Sequence, residues 1–300
     1  MPVDVNRPGP WNHRNLTARG TRFHVALAGP EAPSGSGVLT LLIHGFPECW
    51  WTWRHVIPAL AQAGHRVAAL DLRGFGGSDR PPSGYDLVTL AQDIAAVVRS
   101  LGHERAMVIG AGLGGQVAWA LPHVAPDLTT AIIPVGAPHP LALRSLRSRA
   151  LSGPALQYAS LQIPGLAERR LRSRSALEGL LRSWAGPHTR EAVAEEAPYY
   201  AELLSRPGAA RSALEPLRNL MLSRAETAAL ERPVTAPVLS VQGQLDPVQP
   251  AQAYARDTHH VTGNLHQATI RRSGHFPQEE APAELVRALM PFLADVAPAV

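Results

Sequence analysis

The 300-residue chain contains no lysine and only one cysteine, Cys49. A single cysteine excludes an internal disulfide and leaves no thiolate cluster for a metal. All 28 basic residues are therefore arginine, a bias that accompanies the many alanines and prolines and is read as compositional. No run approaches the ~20 apolar residues of a membrane span. The segment Met1-Pro2-Val3-Asp4-Val5-Asn6-Arg7 lacks the apolar core of a secretory leader. A soluble, cytoplasmic protein with no membrane partner is expected. Aromatics are scarce, at 5%, and few of them interleave with the eight arginines between Arg144 and Arg182. A nucleic-acid groove usually alternates basic and stacking side chains. With a net charge of only +4, those arginines read as a solvated helical face and no nucleic-acid partner is expected.

What the chain does contain suits one large α/β domain: 45% of its residues are hydrophobic. A chain of this length buries about 75% of its unfolded surface. Asn15 to Ala28 alternates like a hairpin turning near Gly20. Val38 to Ile43, Arg66 to Leu70, Ala106 to Ile109 and Leu128 to Val135 are short apolar runs, as expected of buried strands. Between them, Trp51 to Ala63 and Leu87 to Leu101 show helical spacing. Strand and helix alternate in the pattern of a mostly parallel sheet covered on both faces. From about Leu141 to Leu230 the strand signal disappears and arginine, alanine and leucine recur at helical spacing. Strand character returns at Pro237 to Val241 and at Gln267 to Ile270, and Ala281 to Val296 reads as a closing helix. The expected organisation is a discontinuous core, residues 1–140 and 231–300, with an all-helical insertion over 141–230.

The densest punctuation lies in Gly110-Ala111-Gly112-Leu113-Gly114-Gly115, between an apolar run and a helix-like segment. Gly110, Gly112 and Gly115 match the spacing of a dinucleotide-binding turn. That fingerprint needs an acidic residue roughly 20 positions on, and Ala131-Ile132-Ile133-Pro134-Val135-Gly136 supplies none. The motif also usually opens its domain, whereas here strand-like segments precede it. No cofactor is expected. The same layout serves as a nucleophile elbow, small-x-nucleophile-x-small, with its seat at position 112. Two residues further along complete a constellation: Asp246 in Gln244-Leu245-Asp246-Pro247 and His275 in Ser273-Gly274-His275-Phe276-Pro277. Each follows a strand-like run, where open α/β sheets place their sites. A carboxylate beside a histidine fixes its tautomer and stabilises its protonated form, so the pair serves as a general base.

At these residues the chain resembles the α/β-hydrolases, and within them the epoxide hydrolases. The segments His44-Gly45-Phe46-Pro47-Glu48, Asp71-Leu72-Arg73-Gly74-Phe75-Gly76-Gly77-Ser78-Asp79 and Ala137-Pro138-His139-Pro140 carry the likeness, joined by Gln162-Ile163-Pro164-Gly165-Leu166 and Ser205-Arg206-Pro207-Gly208-Ala209. The resemblance implies an α/β-hydrolase fold with a helical lid over a pocket for a small apolar molecule. It implies His275 as base, Asp246 as its partner, and the backbone N–H groups of Phe46 and Leu113 as an oxyanion hole. The elbow aspartate of such enzymes matches Gly112, which has no side chain, and the two lid tyrosines match Gln157 and Leu217, with Tyr158 one position from the first. Covalent attack from residue 112 is therefore excluded. Haloalkane dehalogenation is disfavoured too, since it uses the same aspartate and Leu113 replaces the usual halide ligand. Two functions remain expected: a weak or altered hydrolase in which Asp246 and His275 activate water against an epoxide, ester or lactone, or a non-catalytic binding protein reusing the pocket. His44, His139 and Asp71 are expected to be structural.

Overall fold

The computed structural model describes residues 4–31, 37–144, 160–218 and 222–296. Strands β1 (Asn12–Ala18) and β2 (Thr21–Ala28) form the expected hairpin. Its two-residue turn has positive φ at Arg19 (49°) and Gly20 (72°), the backbone twist that matches right-twisted strands. Strands β3 (Val38–Ile43), β4 (Arg66–Leu70), β5 (Arg105–Ala111), β6 (Thr129–Val135), β7 (Val238–Gly243) and β8 (Leu265–Ile270) complete the sheet. The spatial order is β1-β2-β4-β3-β5-β6-β7-β8, parallel from β4 to β8. The central strands are buried almost throughout, which explains their uninterrupted apolar runs. After β3 the chain first adds β4 on one side and then β5 on the other. The crevice at the C-terminal ends of β3 and β5 is therefore the sheet's switch point, where ligands bind in open α/β folds.

Helix α1 (Ile57–Gln62) is shorter than the spacing of residues 51–63 predicts, because a 3₁₀ turn, Trp50–Trp53, precedes it. Pro58 explains the break: with no N–H it is tolerated in the first turn of a helix and not inside one. In the 3₁₀ turn Trp50 and Trp53 lie three apart, share a face, and are both wholly buried. Helix α2 (Leu87–Ser100) is capped by Asp86, whose carboxylate accepts the Thr89 N–H at 2.8 Å. Its Leu90, Ile94, Val97 and Val98 stripe is fully buried.

Helix α3 (Leu113–Val124) lies so close to the sheet that two glycines of the elbow are forced by contact. A Cβ on Gly110 would sit 2.2 Å from the Gly114 carbonyl oxygen, and one on Gly114 would sit 2.4 Å from that of Ile43. This close approach, and not a pyrophosphate, accounts for much of the glycine density.

Between β6 and β7 the described residues form the helices Pro140–Arg144, Leu166–Arg172, Arg174–Trp184, Arg190–Ala194, Ala197–Leu204, Ala209–Arg218 and Arg224–Leu230 and no strand beyond an isolated bridge of Val234 to Val261. Their apolar stripes, including Leu177, Leu181, Trp184, Tyr200 and Leu214, join the core continuously. Arg174 and Arg182 face solvent and pair with Glu178, as a solvated face requires. No helix among the described residues is long and apolar enough to cross a membrane.

Candidate active site

The walls of the crevice are two loops fixed by buried polar side chains. His44 accepts the Leu72 N–H on Nε2 at 3.1 Å and donates from Nδ1 to the Gly45 carbonyl at 2.7 Å. Asp71 accepts the Trp50 N–H on one oxygen, and the Gly77 N–H and His24 Nδ1 on the other, each at 2.8 Å. These bonds tie the loop after β3 to the loop after β4, so both residues act structurally, as the sequence suggests. His139 is structural as well: it is fully buried against Trp119 and stacked on His260 at 3.8 Å. The Phe46–Pro47 peptide is cis.

Gly112 occupies the turn from β5 into α3, with φ 48° and ψ −112°. Its N–H donates to the Val135 carbonyl at 2.9 Å and its carbonyl accepts the Gln116 N–H at 3.1 Å. A non-glycine residue held in such a region costs about 1–3 kcal/mol. Space is not the obstacle, since a Cβ built here lies 3.4 Å from His275 Nε2 and 3.7 Å from the Gly45 Cα. Leu113 is the first residue of α3, so its N–H belongs to the unpaired first turn of the helix.

Asp246 sits in the turn after β7, where its Oδ1 accepts the N–H groups of Val248 at 2.7 Å and Gln249 at 3.1 Å. Its Oδ2 takes the Nδ1 proton of His275 at 2.9 Å, and both side chains are almost wholly buried. That bond leaves the lone pair of Nε2 facing residue 112. Burial, the largest influence on His275, disfavours its charge. The charge and hydrogen bond of Asp246, with Glu48 and Glu280 further off, outweigh burial and hold the histidine above 6.5.

Two residues not singled out from sequence complete the site. Glu280 binds the histidine loop to the helical segment: its carboxylate accepts the N–H groups of Gly274 (2.8 Å), Phe276 (2.9 Å) and Gly186 (2.7 Å). The His275 N–H adds a bond to the Trp184 carbonyl at 2.9 Å, and the Trp184 ring stands edge-on to the imidazole at 5.5 Å. Pro277 followed by Glu279 and Glu280 is a helix-start signature, and that signal was present in the sequence. Glu48 is buried behind the crevice, accepting Thr52 Oγ1 at 2.6 Å and Gln278 Nε2 at 3.2 Å. Burial first, and the neighbouring Glu279 second, push its carboxyl up to about 8.

A carboxyl raised from 4.5 in this way stabilises the fold fully below 4.5 and loses that contribution as pH rises through about 8. Each unit is worth about 1.4 kcal/mol. Glu48→Gln keeps an acceptor for Thr52, and a turn of the Gln278 amide gives its new N–H₂ a partner. Thermal denaturation is expected to place Glu48→Gln near wild type at pH 5 and several degrees above it at pH 9. The reverse order would mean that Glu48 is ionised and stabilising.

The crevice thus brings together residue 112, His275 and Asp246, with Phe46 next to Gly45, whose Cα lies 3.7 Å from a Cβ built on residue 112. Leu217 is buried on its helix, its carbonyl accepting Gln162 Nε2 at 3.2 Å. Gln157 and Tyr158 lie outside the described residues.

A parallel sheet with this switch point, an elbow after β5, a carboxylate after β7 and a histidine after β8 defines an α/β-hydrolase. The α/β hydrolase fold family matches residues 40–282, and the chain belongs to that family. Epoxide hydrolases are among its relatives. Epoxide hydrolase 4 of Mus musculus is 31% identical over 94% of this chain and 79% of its own. Epoxide hydrolase B of Mycobacterium tuberculosis is 43% identical over 128 residues, a match confined to 42% of this chain and 35% of that relative. The crystal structure of epoxide hydrolase A from Mycobacterium thermoresistibile superposes with a TM-score of 0.77 at 27% identity, covering 95% of this chain and 98% of that one. The protein is an epoxide hydrolase-like α/β-hydrolase.

Proposed function

We propose that this chain is a hydrolase in which water replaces the covalent nucleophile of its relatives. Gly112 stands where an epoxide hydrolase carries its attacking aspartate, and the helical segment over 141–230 acts as a lid on the core formed by 1–140 and 231–300. One observation carries the reading: His275 is oriented by Asp246 through Nδ1, and its Nε2 points at the space beside residue 112. A pure binding protein has no use for an oriented base.

In the proposed reaction a water in that space gives a proton to Nε2 as its oxygen bonds to the electrophilic carbon of an epoxide, ester or lactone. The electron pair of the breaking bond moves to the substrate oxygen, which the Phe46 and Leu113 N–H groups face. His275 then returns the proton. General-base assistance supplies about 10²–10⁴-fold, so turnover is slower than by a covalent route. Phe46, Trp184 and Phe276 cluster around the base and favour an apolar substrate. One feature favours the non-catalytic alternative, namely Leu217, an apolar side chain where the resemblance calls for a tyrosine.

The test is a single turnover of an epoxide and an ester in ¹⁸O-labelled water. Direct attack puts solvent oxygen into the first product molecule, whereas a carboxylate ester route delivers a protein oxygen first. The rate is expected to rise with pH to a plateau as His275 loses its proton, with a midpoint above 6.5. The carboxyl groups facing His275 are Asp246, Glu48 and Glu280, and running the profile in Glu48→Gln removes the one whose carboxyl is pushed up to about 8. No turnover of any member of the panel would leave the binding alternative.

A further inference from the structure

We infer that the space between Gly112 and His275 is a binding site for a small monocarboxylate, so the ligand of this pocket presents a carboxylate to the base. The inference rests on the proposed assignment of Phe46 and Leu113 as donors, but it requires no turnover.

The elbow glycines differ in what surrounds them. A Cβ on Gly110, Gly114 or Gly115 would meet other atoms at 2.2–2.4 Å. At Gly112 only two atoms lie within 4 Å of the Cβ position, His275 Nε2 and the Gly45 Cα. This is the elbow glycine with room for a further atom at ordinary contact distance, and that room ends on a ring nitrogen. His275 is only 6% exposed, and its Nε2 has no hydrogen-bond partner among the described residues. An imidazole nitrogen left unpaired at the end of that space can hydrogen-bond a ligand placed there. The second wall is the head of α3, a 12-residue helix whose first N–H groups and dipole favour an anion.

Charge decides between an anion and a neutral group. The protonated imidazole is balanced by Asp246 on its far side, at 2.9 Å. Glu48, pushed up to about 8 by burial and by Glu279, is uncharged near neutral pH and does not repel an anion. Glu280 is occupied by the N–H groups of Gly186, Gly274 and Phe276. An anion beside Nε2 therefore gains a charge-assisted hydrogen bond, roughly twice as strong as a neutral one. Shape selects a carboxylate over a tetrahedral oxyanion. A planar group offers one oxygen to Nε2 and the other to the helix head, while a tetrahedral one brings further oxygens toward the Gly45 Cα. The rings of Trp184 and Phe276, 5.5 and 5.3 Å from the imidazole, make the surroundings of the base apolar and suit a short alkyl tail. The class is acetate, propionate and their homologues, which are also the acid products of ester hydrolysis.

The experiment follows the His275 ring by NMR while sodium acetate is added at constant ionic strength, with inorganic phosphate and sulfate in parallel arms. Acetate is expected to shift the His275 signals saturably and to raise the pH at which the ring titrates. Above that pH the dissociation constant should rise about tenfold per unit, because binding then requires uptake of a proton. Phosphate and sulfate should do neither. Gly112→Ala puts a methyl group into the space and should abolish the acetate shift while the low-field Nδ1 proton, reporting the Asp246 bond, persists. If Gly112→Ala does not fold, Gly112→Asp, which supplies its own carboxylate, should block acetate equally. Unsaturable shifts, equal response to phosphate, or acetate binding retained in a folded position-112 variant would each overturn the inference. Acetate binding without turnover of any ester or epoxide sinks the hydrolase reading and leaves this one standing. Turnover that acetate neither competes with nor perturbs sinks this one alone.

Discussion

Gly112→Asp combined with His275→Gln is expected to become covalently labelled by an epoxide, with a mass gain equal to one substrate molecule. The wild type and His275→Gln alone should show no gain. The new Cβ meets only ordinary contacts, at 3.4 Å and 3.7 Å, so it enters without displacing backbone. Its cost is conformational: aspartate at φ 48° forfeits about 1–3 kcal/mol, to be seen as a lower Tm. The carboxylate oxygen bonds to the ring carbon, the C–O bond breaks toward oxygen, and the ester survives because no base remains to activate water. Labelling should nevertheless be slow. Leu217 cannot donate to the developing alkoxide, and losing one well-placed donor typically costs about 10²–10³ in rate. Adding Leu217→Tyr should recover part of that factor. Intact-protein mass spectrometry over time checks each variant, and rapid labelling by the first double variant would mean that another residue supplies the acid.

Asp246→Asn is expected to lower ester or epoxide turnover by about 10²–10⁴-fold, the whole of the general-base term, with little change in fold. The asparagine carbonyl can still accept the Val248 and Gln249 N–H groups, so the turn after β7 keeps its bonds. Its amide, however, donates to Nδ1 where the carboxylate accepted. The imidazole then carries its proton on Nε2 and cannot take one from water. The rise of rate with pH should flatten as well, because the ring loses the charge that held it above 6.5. A variant with wild-type turnover would show that the pair is a structural relic.

Much of this architecture was legible in the chain because parallel strands are written locally. Val38–Ile43 and Arg66–Leu70 begin and end where their apolar runs do. Asp246 and His275 could be placed because each follows such a run. Where local pattern competes with backbone chemistry, spacing alone misleads: residues 51–63 carry helical spacing, yet Pro58 and the two buried tryptophans divide them. The glycines posed the opposite difficulty. Gly110, Gly112 and Gly114 look alike in sequence, and only the approach of α3 shows which are forced by packing and which has room beside it. Glu48 and Glu280 escaped attention because their meaning lies in distant partners. Gln278 reaches Glu48 across 230 positions, and Gly186 reaches Glu280 across 94.

Those distant bonds assign the base to a cooperative unit of the fold. Gly274 approaches the insertion so closely that a Cβ there would lie 2.3 Å from the Gly186 nitrogen. With His275 donating to the Trp184 carbonyl and Glu280 clamping both segments, the loop is backed by the insertion as much as by the sheet. Proteins open in contiguous foldons, each with its own free energy below the global one. The amide of His275 is protected by its bond to Trp184 in the insertion, whereas that of Gly274 is held by Glu280, so the His275 amide is expected to exchange with solvent whenever the helices over 166–204 part from the core, even while β8 stays protected. The bond that backs the base is then lost and regained with the packing of one segment, so local opening of that segment alone is expected to loosen the base without unfolding the domain.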